Sequence, residues 1–331
     1  MTLVALPTRA TRLRLLVLAI SERCDQRCVH CQIWMGPPQA SSGSLTRDER
    51  LAIVDEAIGM GVEQVLLTGG EPLLSADLWP IAERLRGAGV QALLATNGLL
   101  LEPHADAVCG LFSEVYVSLD GASAATHDRL RGVPSLDRVA AGVRALRQRS
   151  TRPLLVARCT LHAGNLGEVE AIVDAARGVG FDHVSFLPID ASSEAFGGRA
   201  EARRALVPDA QAIDAFLGAI TRLAKDDGFI LEPLEKLRRL ATHLRASAGA
   251  ARFERPACDA PWWSSVVEAD GRLRPCFFHA PLGDARHGLS ASRRSEAYLG
   301  ALALVRSANP TCERCVCPKR RGVPILERLL A

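Results

Sequence analysis

The sequence predicts an α/β fold built on a parallel sheet, and three observations predict it. From Leu13 to about Pro188, short apolar runs alternate with amphipathic stretches, the pattern of repeated strand–helix units with right-handed crossovers. The residues able to do chemistry fall directly after the apolar runs, where the functional loops of parallel folds lie. No apolar run reaches the roughly 18 residues that a membrane span needs.

The first run, Leu13–Ile20, reads as a buried strand that ends in the polar loop holding Cys24, Cys28 and Cys31. Thr46–Met60 begins with Thr46-x-x-Glu49, a capping box, and reads as a helix. Strands are then expected at Gln64–Leu67, Val90–Ala95, Glu114–Ser118, Leu154–Leu161 and His183–Leu187. Helices are expected at Asp77–Gly87, Pro103–Leu111, Ser135–Arg149 and Asn165–Val179. Gly69-Gly70-Glu71-Pro72, Thr96-Asn97-Gly98 and Ser118-Leu119-Asp120-Gly121 follow the second, third and fourth strands.

Beyond Pro188, Asp190–Arg199 reads as a polar linker or lid, followed by amphipathic helices at about Pro208–Lys225 and Pro233–Ala246. Trp263–Ala269 and Arg272–Phe278 read as two strands joined by Asp270-Gly271, a hairpin signal. A helix near Ser292–Ser307 leads to Cys312-x2-Cys315-x-Cys317. Three regions are expected: 1–190, 191–256 and 257–331.

Composition narrows the function. The 331 residues suffice for a barrel-sized domain, and a net charge of +3 is too small to point to nucleic acid or an anionic membrane. Aromatic residues at 5% supply few stacking platforms for single strands. The N-terminal run lacks a small-residue cleavage site before Cys24, so it reads as core strand rather than signal peptide. Ten cysteines then imply metal in a reduced, cytoplasmic chain rather than disulfides.

Three thiolates on one short loop suit three corners of a cubane iron–sulfur cluster and leave the fourth iron open. Structural zinc sites instead take four ligands, usually as paired cysteines. With Gly69-Gly70-Glu71-Pro72 downstream, Cys24-x3-Cys28-x2-Cys31 resembles the radical S-adenosylmethionine enzymes. That resemblance implies a partial (β/α)6 barrel of the TIM type over residues 10–190. It also implies a [4Fe-4S] cluster on Cys24, Cys28 and Cys31, with S-adenosylmethionine chelating the open iron. Reductive cleavage would release a 5′-deoxyadenosyl radical that takes a hydrogen atom from a substrate carbon, the hard chemistry belonging to the cofactor.

By the same resemblance, Gly69, Gly70 and Glu71 receive the amino group of S-adenosylmethionine, and Asn97, Ser118 and Asp120 line its site. Arg131 offers a bidentate fork to its carboxylate. Leu187 packs the adenine from the end of the sixth strand. His30 stands where the family usually has Phe or Tyr, and its imidazole stacks instead.

The later cysteines Cys258, Cys276, Cys312 and Cys315 resemble the C-terminal extension of SPASM and Twitch enzymes. Five cysteines there, counting Cys317, are too few for two auxiliary clusters, so a Twitch-like extension with one closed [4Fe-4S] cluster is expected. Spacing favours Cys315 over Cys317, and a four-cysteine zinc site is the alternative. Cys159 is the candidate hydrogen-atom donor of an epimerase. His104, His127, His162 and His183 read as caps or core.

About a dozen residues precede the first strand, which leaves no room for the winged-helix domain of many peptide-modifying relatives. A small natural-product substrate is therefore expected, such as an aminocyclitol or sugar that is dehydrogenated or epimerised. The alternative is maturation of a ribosomal precursor peptide. Flavodoxin or ferredoxin would donate electrons, and Lys319-Arg320-Arg321 offers a docking tail.

Overall fold

The computed structural model describes residues 12–35, 43–191, 203–223, 228–306 and 309–315. The expected lid beyond residue 191, Cys317 and the Lys319–Arg321 tail lie outside the described residues.

Six parallel strands run β1 (Leu15–Ser21), β2 (Gln64–Gly69), β3 (Gln91–Thr96), β4 (Glu114–Ser118), β5 (Leu154–Leu161) and β6 (His183–Pro188). Helices between them are α1 (Arg47–Gly59), α2 (Leu78–Gly87), α3 (Ala105–Leu111), α4 (Ala124–Arg131), α5 (Leu136–Arg149) and α6 (Val169–Val179). The expected capping box is present in α1: Thr46 Oγ1 accepts from Glu49 N, and Thr46 N donates to the Glu49 carboxylate. This is the open, parallel-dominated α/β sheet that the alternating pattern predicts.

Several features depart from expectation: the expected strand Arg272–Phe278 ends at Arg274, and a short strand forms at Gly283–Asp284. Helix α4 sits where only a loop is expected, started by the Ser123 side chain on Thr126 N and ended at left-handed Gly132. The helix near Ser292–Ser307 is two, α10 (Leu289–Arg293) and α11 (Glu296–Arg306). Between β6 and the C-terminal strands come α7 (Ala210–Leu223), α8 (Leu234–Ser247) and the single turn α9 (Ala260–Trp263).

Strand β7 (Ser264–Val267) joins the same sheet parallel to β1, with Leu15 opposite Ser264 and Leu18 opposite Val267. β8 (Arg272–Arg274) pairs antiparallel to β7, and β9 (Gly283–Asp284) antiparallel to β8. The strand order is β6-β5-β4-β3-β2-β1-β7-β8-β9. Glu56 of α1 fastens this region by accepting from the N–H groups of Leu289 and Ser290 at the start of α10, at 2.6 and 2.8 Å. A carboxylate there also meets the positive end of the helix dipole.

The two faces of the sheet differ. Val115, Val117, Ala157, Cys159, Leu161, Val184 and Phe186 join the main core with the helices, whereas Leu93, Tyr116 and Val156 form a separate small cluster. Side chains alternate along a strand, so the second set marks the face turned away from the helices, the inner face.

Candidate active site

The cysteine loop follows β1 and is pinned at its far side to the end of α4. Arg27 N donates to Arg131 O and Val29 N to Leu130 O, both at 3.0 Å. Gly132 permits this approach, because a Cβ there would meet the Arg27 carbonyl. Trp34 closes the loop from below, its Nε1 donating to Cys31 O at 2.7 Å and to Cys28 O at 3.3 Å.

On the β2 side, Gly70 N donates to Ser21 O at 2.6 Å and Glu71 N to Arg23 O at 2.7 Å. A Cβ on Gly69 would collide with the Ser21 carbonyl, and one on Gly70 with the Arg23 carbonyl. The glycine pair is therefore what lets the β2 loop lie against the cysteine loop.

Glu71 is fully buried. Its Oε1 accepts from Leu73 N (2.9 Å) and Thr96 Oγ1 (2.8 Å), and its Oε2 from Asn97 N (2.7 Å). Burial pushes its carboxyl up to about 7 against those three hydrogen bonds. Asn97 continues the chain of contacts, its Nδ2 donating to Asp25 Oδ1 at 2.6 Å and lying 3.9 Å from Cys24 Sγ. Glu71 and Asn97 thus couple three loops around the first cysteine.

Asp120 and Arg131 form the other wall. Arg131 Nη1 donates to Asp120 Oδ2 at 2.8 Å and its Nε to Gln26 Oε1 at 2.7 Å. Asp120 Oδ1 accepts from Thr160 N at 2.8 Å. Burial would raise the Asp120 carboxyl, but Arg131, His30 and the Thr160 N–H together hold it down at about 2. His30 is half-buried, 3.9 Å from Asp120 Oδ2, and desolvation lowers its pKa to about 4, which keeps it a neutral ring.

Sequence reasoning missed Gln26, and it read His127 and His162 as caps or core without placing them at the site; both are fully buried. Gln26 is fully buried between Arg131 and Cys28, whose thiol donates to its Oε1 at 3.7 Å. His127 accepts from Asp120 N at 3.2 Å, and the His162 ring lies 5.7 Å from that of His30. Both histidines belong to this wall. Among the described residues, the buried Nε2 atoms of Gln26, His127 and His162 have no hydrogen-bond partner. The expected site residues Ser118 and Leu187 follow the alternation of β4 and β6 onto the inner face.

Cys159 does not join them. It is fully buried in the main core, opposite Phe186 in the register, and accepts a hydrogen bond from Asn165 Nδ2 at 3.6 Å. The alternation of β5 turns it to the helix layer, so the expectation that it faces the cavity is corrected. Burial, reinforced by the Asp120 carboxylate, holds its thiol well above its ordinary pKa.

The donor chemistry fits a cubane. Burial raises all three loop thiols, Cys28 to about 12, while Arg131 opposes it. Thiols so placed ionise when a metal takes the proton's place. Among the described residues no three His, Cys, Asp or Glu side chains close on a single-ion site.

A second thiol group lies beyond β8. Cys276 is pushed up to about 12 by burial, with Cys258 and Cys312 adding to the rise, so the three sit within electrostatic reach of one another. His279 Nε2 lies 3.4 Å from Cys312 Sγ. Cys315 follows on the turn after α12 (Pro310–Glu313), its N–H bonded to Cys312 O at 3.3 Å.

Comparison with known proteins agrees with this geometry. The AdoMet-dependent heme synthase of Methanosarcina barkeri is 35% identical over 180 residues, 53% of this chain and 50% of that protein. A GTP 3′,8-cyclase of Synechococcus is 36% identical over 149 residues, 41% of this chain and 42% of its own. The chain spans about half the length of these curated relatives. Streptococcus suis SuiB, solved with its precursor peptide SuiA, superposes with a TM-score of 0.66 at 16% identity, over 93% of this chain and 71% of that one. Native anSMEcpe with bound AdoMet and a peptide gives 0.64 at 16%, over 91% and 86%. Residues 18–186 match the sequence profile of the Radical SAM superfamily, and the chain belongs to that superfamily.

Proposed function

We propose that this radical S-adenosylmethionine enzyme takes a small polar molecule onto the inner face of its sheet and dehydrogenates or epimerises it, an aminocyclitol or sugar being the substrate class. The observation that carries the reading is the fixing of the cysteine loop between Gly69-Gly70 and the end of α4, beside the Asp120–Arg131 pair. Cys24, Cys28 and Cys31 would hold a [4Fe-4S] cluster there. Bound with S-adenosylmethionine, that cluster supplies the electron that breaks a carbon–sulfur bond and so starts hydrogen-atom abstraction.

The protein's own part is positioning. Gly69 and Gly70 offer a backbone edge that no side chain obstructs, and Glu71 holds Asn97 against the Cys24 side of the loop. Arg131, fixed by Asp120 and Gln26, keeps a permanent positive charge beside the thiolates and serves the carboxylate of S-adenosylmethionine. His30, neutral at physiological pH, gives the adenine a flat neighbour, and Ser118 and Leu187 line the inner face. Cys258, Cys276, Cys312 and Cys315 would hold a second, closed cluster. The mutual electrostatic influence of the first three supports that reading, and a closed cluster suits electron transfer. A flavodoxin or ferredoxin would be the donor.

Anaerobic reconstitution tests both clusters. About eight irons are expected for the wild type and about four when Cys24, Cys28 and Cys31 are all alanine. Cleavage of S-adenosylmethionine to 5′-deoxyadenosine should then rise when aminocyclitols or amino sugars are added. No cleavage under any reductant would remove the reading.

A second reading is modification of a ribosomal peptide, suggested by the overlap of fold with SuiB. Absence of binding to any precursor peptide encoded beside the gene would eliminate it.

A further inference from the structure

The inner face carries a charge that neither cofactor site uses. Arg158 lies near the C-terminal end of β5, opposite Ser118 of β4 on one side and Ser185 of β6 on the other. Its neighbours in the strand, Ala157 and Cys159, face the helices, so Arg158 faces inward with Tyr116. An arginine within a central strand is uncommon unless it is paired. The buried Arg293 is held by carbonyl and hydroxyl oxygens, while the buried Arg50 and Arg131 each face a carboxylate at 2.8 Å.

Arg158 has no such partner among the described residues. It donates one hydrogen bond, from Nη1 to Ser185 Oγ at 2.8 Å, and its guanidinium lies 5.2 Å from the centre of the Tyr116 ring. Ser185 passes the contact on, donating to Glu232 Oε1 at 2.6 Å, and Glu232 is in turn 4.0 Å from the buried Lys236 ammonium. The arginine is thereby held in place by a ring and a hydroxyl, neither of which neutralises it. Among the described residues the contact with Ser185 is the one hydrogen bond the guanidinium makes, out of the five N–H donors it carries. A planar fork fixed in this way recognises an oxyanion bidentately.

We infer that Arg158, set beside Ser118 and steadied by Tyr116 and Ser185, is the anchor for a carboxylate or phosphate group of the substrate. The inference rests on the proposed function and narrows it: the substrate is an anion, such as a sugar phosphate or an acidic amino sugar. It also gives the substrate an orientation, with its anionic end on β5 and the rest of the molecule free to reach toward the cysteine loop.

The test is calorimetric titration of the reconstituted enzyme, saturated with S-adenosylmethionine so that its carboxylate site is filled. Inorganic phosphate and succinate are the probes, and the wild type, R158K and R158Q are compared. The wild type should bind one of the two at a single site, and which one decides between phosphate and carboxylate. R158Q should weaken that binding by about tenfold or more, with R158K in between, since the lysine keeps the charge without the fork. No saturable binding by the wild type, or R158Q affinity within about twofold of wild type, overturns the anion site. Substrate-free cleavage of S-adenosylmethionine by the wild type tests the underlying reading separately: its absence sinks that reading, and its presence with unchanged anion affinities sinks this one alone.

Discussion

Arg131 and Asp120 meet at 2.8 Å with both side chains buried, and the pair joins four pieces of chain. Through Thr160 N it holds β5, and through Gln26 it holds the cysteine loop. Removing one partner of a buried pair strands the other, at a cost of about 3–5 kcal/mol. D120N should therefore lower the unfolding free energy from urea titration by that amount and reduce the iron retained after reconstitution.

The same pair makes a pH prediction. Asp120 titrates at about 2 when folded, against about 3.9 for an unfolded chain. Its folded pKa is depressed, so its contribution is present above pH ~4 and is lost as pH falls toward 2, a difference of about 2–3 kcal/mol. The wild type should lose stability through that window, and D120N should lack this component. Equal acid slopes for the two proteins would show that the pair contributes nothing there.

Glu71 runs the other way. Its carboxyl rises to about 7 in the folded chain from an ordinary value of about 4.3, so the folded state holds the proton more tightly. Its contribution favours folding below pH ~4.3 and declines as pH rises to about 7, then levels off. E71Q removes that slope, and it also costs about 1–3 kcal/mol because an amide has one acceptor oxygen for three donors. Urea midpoints of both proteins between pH 5 and 8, subtracted from one another, isolate the effect.

How far the sequence carries can be judged from particular elements. β4 and β5 end at the expected residues because Glu114–Ser118 and Leu154–Leu161 are apolar runs with clear flanks. Helix α4 escaped notice because Ala124–Arg131 is polar and its fold depends on caps at Ser123 and Gly132. β7 was legible as a strand, but its pairing with β1 is a contact between distant parts of the chain that no local pattern encodes. The three loop cysteines were legible because their spacing is local chemistry. Arg158, His127 and His162 were not, since each gains its meaning only from neighbours on other strands and loops.

Gly70 tests the contact between the two loops. G70A would force a methyl group against the Arg23 carbonyl and disturb the Glu71 N to Arg23 O bond. Overpacking of this kind costs about 1–3 kcal/mol. The fold should survive, with unchanged far-ultraviolet circular dichroism, while iron falls by the share of one cluster and the rest is retained. Full iron content in G70A would show that the loops need not touch.

Arg293 tests how the C-terminal region is joined to the sheet. It is buried at 4% exposure, with Nη1 donating to Ser264 O and Tyr298 Oη at 3.0 Å and also to Ser265 Oγ, and Nη2 to Trp262 O at 3.2 Å. These acceptors belong to α9, β7 and α11, so one guanidinium ties the added strand to two helices. R293M keeps the apolar stem but removes the donors to Trp262 O and Ser264 O, the latter still accepting from Ser265 Oγ, and losing such buried hydrogen bonds costs about 1–3 kcal/mol. Hydrogen exchange should speed up in β7, β8 and α11 while β3 to β5 keep wild-type protection. Exchange that quickens uniformly across the sheet would mean that β7 and β1 unfold as one unit and that Arg293 stabilises the whole rather than the junction.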